Sequence, residues 1–313
     1  MNFAVGKKVL ALINRFVLNP AMVINFKKHI ELVKVLKPFK KQGFINHRSY
    51  LIYLFSYISK SLTTDDKLKV LKFHYSFLQK NFSPRYLKQL FENGVECFKE
   101  NGIEDEYTVS LLPSSMLEFE GSLSLCFNVN GVKIYTLSFT FMPGSIVNLD
   151  EHAVIYISRL QRDSKQLEKN SKATKYFNDI VPSSILMRVL EAIATSLDIH
   201  SCVGVSAKHQ VSLTNEAEYL RFYSIYDEFW LSHGGKFVNN NYLFPIPFEQ
   251  KYISEIQQKH RNRTLKKRRR LAEIYNESYN TVSLLKPTFV HHHYTMPNKW
   301  LLALPPQPLR ILQ

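Results

Sequence analysis

Few side chains in this sequence have the type and spacing to do chemistry. Tyr226, Asp227 and Trp230 share a helical face by their i, i+1, i+4 spacing. A carboxylate between two aromatic rings can orient an amine or move a proton at a pocket wall. The same trio also suits a core, with the indole buried and Asp227 bonded to a backbone amide. His209 follows the apolar stretch Cys202–Ser206, at a strand end of the kind that holds functional groups, and a neutral imidazole there can accept a proton from an attacking amine or hydroxyl. A solvated loop histidine is the plainer alternative. Asp227 and His209 are thus the catalytic candidates, and Gln161, Ser206, Tyr226 and Trp230 the candidates for a pocket wall. Lys266, Lys267, Arg268, Arg269 and Arg270 are five consecutive basic residues. On a helix they point all round, so some face away from any core, toward an anion.

No metal or disulfide chemistry is expected. Cys97, Cys126 and Cys202 lie far apart with no CxxC pair, which fits a reducing compartment. The run His291–His293 suits a metal only if other ligands converge on it, because adjacent residues fill one site poorly.

These groups need elements to position them. The 313 residues contain 45% hydrophobic and 21% charged side chains, which excludes a disordered or collagen-like chain. Residues 1–100 read as helices. Val9, Leu12, Ile13, Phe16 and Val17 form one apolar stripe, Met22, Val23, Phe26, Ile30 and Val33 a second, and Leu51, Leu54, Phe55 and Ile58 a third. Thr64-Asp-Asp66 and Ser83-Pro84 are helix starts, the latter helix stopping near Gly94. After Gly102 the period changes. Leu123, Leu125, Phe127 and Val129 alternate, Asn130-Gly131 makes a tight hairpin turn, and a return strand runs from Val132 to Phe141. Ala153–Ser158 is a third strand, followed by a helix at Ser183–Leu197, the strand Cys202–Ser206 and a helix at Glu216–Ser232. Glu249–Leu285 reads as one long basic helix. The fold class is therefore α+β: a basic helical domain over 1–104, a mixed-sheet domain over 105–248, a basic helix over 249–286 and a tail over 287–313.

Charge follows the same division. Residues 1–100 carry a net +12, residues 101–245 a net −5 and residues 246–313 a net +8, within a total of +15. Basic flanks around an acidic middle suit an anionic partner: an anionic membrane surface, an acidic carrier protein or nucleic acid. Solvated lysines are the plain alternative. Nucleic acid is the weaker candidate, because the basic helices lack interleaved aromatics and no helix-turn-helix or ribonucleoprotein motif is present. No apolar run approaches the ~20 residues that span a bilayer, and Asn14 and Arg15 break the signal-like start. The expected place is the cytoplasm, peripheral to the inner membrane.

The segment Tyr226-Asp-Glu-Phe-Trp230, then Gly234-Gly235, Tyr242-Leu-Phe-Pro245 and the basic helix with Lys259-His-Arg261 and Arg268-Arg269 resembles the end of the bacterial VirK/YbjX family. Ile155–Gln161 lies where that family has an Ile-Gly-Gly-Leu-Gln-Gly strand, and the likeness covers about residues 20–285. It implies envelope or lipid work linked to virulence and to tolerance of cationic antimicrobial peptides. Ser158, Arg159 and Arg162 stand in place of the family's glycines, and the Gly and Arg usual before the next helix are missing around Asn178–Pro182. If those glycines let a backbone approach a phosphate, the site is altered here.

The element order and Gly234–Phe237 are also similar to GNAT-type acyltransferases. That likeness implies an acyl thioester donor, carried by acyl carrier protein or coenzyme A, whose pantetheine arm enters a splayed sheet. Gln161–Gln166 takes the place of the pyrophosphate loop without its glycines, and Trp230 or Leu231 falls near the general-acid tyrosine. A non-catalytic accessory protein on the same fold and a nucleic-acid-binding regulator are the alternatives. The expected pocket lies between the carboxyl end of Val154–Ser158, the strand Cys202–Ser206 and the helix of Tyr226, Asp227 and Trp230, with Gln161 at its mouth.

Overall fold

A computed structural model describes residues 25–114 and 119–286. The helix expected at Val9–Val17 and the tail after Pro287 lie outside them. Helix α1 (Phe26–Lys41) packs against α2 (Thr64–Asn81). The first buries Leu32, Leu36 and Phe39, the second Leu68, Leu71, Tyr75 and Leu78, each set at helical spacing. A capping box starts α2: Thr63 Oγ1 accepts from the Asp66 amide and Asp66 Oδ2 accepts from the Thr63 amide, both at 3.1 Å. The stripe at Leu51–Ile58 is divided: Leu51 and Leu54 end a 3₁₀ helix, His47–Leu54, while Phe55 is extended and Ile58 takes positive φ (52°). Helix α3 (Pro84–Glu92) is capped by Ser83, as its sequence suggests.

Eight strands form one mixed, mostly antiparallel sheet. They are β1 (Val95–Asn101), β2 (Glu106–Pro113), β3 (Leu123–Val129), β4 (Val132–Met142), β5 (Val154–Arg162), β6 (Ser201–Val205), β7 (Lys236–Val238) and β8 (Asn241–Pro245). The spatial order is β1-β2-β3-β4-β5-β6-β8-β7, and only β5 and β6 run parallel. The Asn130-Gly131 hairpin forms as expected, both residues at positive φ. β1 lies on the helical side of the boundary expected at 104, yet it is the edge strand of the sheet. One apolar core runs from Leu32 to Leu285, through helices and sheet together. β7 and β8 are additions to the expected strands; their turn, Asn239-Asn240, takes positive φ at both positions (49° and 66°), a hairpin signal that the residue types carry.

Helix α4 (Leu167–Tyr176) precedes α5 (Pro182–Ser196), which lies on β3 and β4 and is buried nearly all round. The helix expected at Glu216–Ser232 is broken at Tyr226 (φ −104°, ψ −66°) into α6 (Tyr219–Ile225) and α7 (Asp227–Ser232). The last helix, α8 (Gln258–Ser283), packs along α5 and against β1. It starts later than Glu249, since Tyr252–Glu255 closes a separate capped 3₁₀ turn.

Two irregularities set the site. β5 and β6 pair over only three positions, from Ile155↔Cys202 to Ile157↔Gly204. At the next residue β5 bulges: Ser138 of β4 faces Arg159 and Phe139 faces Ile157, leaving Ser158 as the extra residue. A bulge bends its strand and increases its twist. Arg159–Arg162 therefore stay with β4 and part from β6.

β6 is held on its other side by Trp230. A Cβ on Gly204 would stand 2.8 Å from the indole carbon Cε2 and 2.9 Å from Cδ2, and Trp230 is wholly buried. Gly204→Ala should therefore lower stability by about 1–3 kcal/mol through overpacking. Urea denaturation measures it; a loss under about 0.5 kcal/mol would mean that the ring shifts freely.

Candidate functional site

Where β5 leaves β6, a cleft of about 620 Å³ opens at its carboxyl end. Arg159, Gln161, Arg162 and Ser164 form one side, Lys133 at the start of β4 lies beside them, and Arg221 and Ile225 of α6 close it. Four of these side chains are cationic, and Asp163 is the carboxylate on the wall. The surface thus favours an anionic group at its mouth.

Beneath the cleft the gap between the strands is filled by polar side chains. Gln210, fully buried, donates its Nε2–H to the Ser158 carbonyl at 2.5 Å. The Tyr226 hydroxyl bonds to Gln210 and to the Leu160 backbone; burial first, then the Glu120 charge, pushes its phenol well above the ordinary range. Arg159 Nε lies 3.2 Å from Glu120 Oε2, and Gln161 Oε1 accepts from Arg159 Nε at 2.9 Å and Nη2 at 2.7 Å. The Ser158 hydroxyl donates to the Glu120 carbonyl. Ser158 and Arg159, in the places of expected glycines, are thus the residues that knit the bulge together.

The remaining candidates are placed apart from the cleft lining. Asp227 is buried, accepting from the Ala207 amide at 2.7 Å through Oδ2 and from the Tyr242 hydroxyl at 2.9 Å through Oδ1. Trp230 donates its indole N–H to the Val205 carbonyl at 2.8 Å. Ser206 Oγ donates to the Asn240 carbonyl at 2.9 Å. These four bonds tie the turn after β6 to α7 and to the β7–β8 hairpin. His209 sits in the short 3₁₀ turn Ala207–His209, half-buried, its carbonyl accepting from the Lys60 amide at 2.8 Å. Burial, then the charges of Lys208 and Lys60, lower its proton affinity, so it is neutral at pH 7. Of the expected site residues, Gln161 lines the cleft; Ser206, His209, Tyr226, Asp227 and Trp230 do not.

The basic run of α8 is largely used inside the fold. Lys267 donates to the Asp179 carbonyl at 2.7 Å, and Arg268 to that of Lys251. Arg270 pairs with Glu100 and with Glu273 and lies 5.3 Å from the Phe177 ring centroid. Lys266 and Arg269 are the exposed members. The cationic lining of this cleft, Lys133 and Arg221 above all, has no run to announce it. Lys133 comes there through strand pairing, two residues before the Tyr135↔Arg162 match. Gln210 likewise has no signal beyond being polar next to an apolar strand.

A mixed α+β fold with a cationic cleft at the break in its sheet defines the class of this protein. The chain belongs to the family described as a protein of unknown function (DUF535), whose model matches residues 5–281. It is 26% identical over 162 residues to a protein of Haemophilus influenzae described as uncharacterized, covering 51% of this chain and 53% of that one. The chain thus spans about half the length of the curated relative it matches. No solved structure matches. Among the described residues no helix is long and apolar enough to cross a membrane.

Proposed function

We propose that this protein is a GNAT-like acyltransferase of the VirK/YbjX type, taking an acyl group as its thioester and working on the envelope from the cytoplasmic side of the inner membrane. One observation carries the reading: the parallel pair β5/β6 separates after Gly204 beside a bulge, and the part of β5 beyond that point, Arg159–Arg162, lines the cleft. Separated strands expose backbone groups that a pantetheine arm, with its own amides, can pair. The Ser158 carbonyl is the first of these, and an entering arm takes over the bond that Gln210 makes to it. The cationic rim suits the acidic surface of an acyl carrier protein, whose field speeds encounter without a glycine-rich pyrophosphate loop. His209 lies outside the cleft lining and takes no proton in this scheme, and Asp227 anchors the turn that carries it. The roles in virulence and peptide tolerance that the resemblance implies belong to the same proposal.

The accessory-protein reading draws on a different observation: Gln210 plugs the gap and both oxygens of Asp227 are taken. Native mass spectrometry with acyl carrier protein, its acyl form and coenzyme A separates the two. The acyl carrier protein should bind, be released by salt as screening rises, and lose at least about tenfold in affinity when Arg162 and Arg221 are both changed to Glu. Binding of none of the three would leave the accessory role. Tight binding to duplex DNA instead would make the protein a nucleic-acid-binding regulator.

A further inference from the structure

A second cleft, of about 710 Å³, lies on another part of the molecule, between α5, the end of α7, the segment 248–256 and α8. It shares no lining residue with the first. We propose that it binds a small amphiphile with one anionic head group, the head held by Arg268 and the chain lying against Met187, Leu231, Ile256 and Leu271.

Arg268 is the reason for the charge. Its Nη2 donates to the Lys251 carbonyl, but its Nη1 is buried and has no hydrogen-bond partner. A buried guanidinium donor without an acceptor is costly, and a carboxylate or phosphate oxygen relieves it with a charge-assisted bond. The neighbours add to the demand. Arg188 and Lys267 line the same cleft. Burial first, then the charge of Arg188, lower the proton affinity of Arg268. Arg188 spends its charge on the wholly buried Glu191, whose other oxygen accepts from the Phe248 amide at 2.8 Å. Glu249, the carboxylate among the lining residues, is exposed and pairs with Lys236 at 3.3 Å. Gln250 Oε1 on the same wall is also buried without a partner. Turned over about its last bond, that amide offers its NH₂ to the same anion.

The rest of the lining sets the ligand's body. The apolar side chains named above leave a wall that a bare inorganic ion would leave wet, and the volume is that of a small-molecule site rather than a docking face. Carboxylate-headed and phosphate-headed chains share this chemistry. The proposal does not rest on the thioester reading, since a failed acyl carrier experiment leaves this cleft untouched.

Isothermal titration calorimetry of the full chain with decanoate, decyl phosphate, decanol and inorganic phosphate tests it, below micelle-forming concentrations. At least one of the two anionic chains should bind, and which one identifies the head group. Decanol and inorganic phosphate should each be at least about tenfold weaker, since each lacks one half of the recognition. Arg268→Gln should lose at least about tenfold, whereas Lys259→Gln, which removes an exposed charge from the same helix, should leave affinity within about twofold. Thr264→Trp, which fills the cleft and keeps Arg268, should abolish binding, and it decides the matter if the Arg268 variant does not fold. Binding of neither anionic chain, equal binding of decanol, or undiminished binding to Thr264→Trp would overturn the proposal.

Discussion

Replacing Asp227 by alanine should lower stability by about 3–5 kcal/mol, while Asp227→Asn should cost only about 1–2 kcal/mol. The carboxylate is buried and receives two donors, the Ala207 amide and the Tyr242 hydroxyl. Alanine leaves both without an acceptor in a place that water does not reach. Asparagine keeps an oxygen for the amide and turns its NH₂ toward Tyr242, whose hydroxyl can rotate to accept. Guanidinium or urea denaturation gives the two differences, provided that the slope m is unchanged. The asparagine variant also separates anchoring from chemistry. If it folds and retains acyl transfer, Asp227 only holds the turn, as its geometry suggests. If it folds and loses transfer while carrier binding persists, the carboxylate takes part in the reaction. An alanine variant within about 0.5 kcal/mol of the wild type would remove the anchoring role altogether.

Acid should unfold the protein well before its carboxylates are neutralised, and His74 should be the main cause. Its ring lies in the core on Phe141, with centroids 5.6 Å apart, and Nδ1 accepts the Phe141 amide at 3.2 Å. Burial pushes its pKa from 6.5 down to about 3. The folded protein therefore keeps His74 neutral over a range in which the unfolded chain takes up a proton. Its contribution is complete above pH 6.5 and is lost as pH falls from there toward 3, at about 1.4 kcal/mol per pH unit. Between pH 6.5 and 5 the loss from this residue is about 2 kcal/mol. Burial lowers His29, His209 and His233 as well, so their contributions have the same sign. His74→Gln, which retains an acceptor and cannot ionise, should flatten the stability profile by about one proton. An unchanged slope in that variant would show that His74 does not control acid lability.

Both predictions concern polar groups that the sequence presents without context. His74 sits on an amphipathic helix at a position that reads equally as surface or core. Only the approach of β4, with an amide unpaired at Phe141, makes it an acceptor. Asp227 and Trp230 stand together in the sequence, and a bond from Asp227 to a backbone amide was one of two readings; the fold supplies that amide from Ala207, twenty residues earlier. The basic run Lys266–Arg270 is conspicuous as a string, yet Glu100 pairs with Arg270, and the carbonyls of Asp179 and Lys251 accept from Lys267 and Arg268.

What the sequence by itself determined is local: helix starts at Thr64–Asp66, where Thr63 proves to be the capping residue, and at Ser83-Pro84, the Asn130-Gly131 turn, the helix read at Ser183–Leu197 and the α+β class. Each depends on side chains and backbone within a few residues, where hydrogen-bonding and φ preferences act directly. The tertiary structure decided where β5 leaves β6, which cations gather at the opening, and which charges are already spent. The bulge at Ser158 arises in the pairing of β4 with β5, and Gln210 reaches the Ser158 carbonyl from 52 residues further along the chain. Pairing register is set by how whole faces pack, and that packing is a property of the assembled core rather than of any one stretch of the chain.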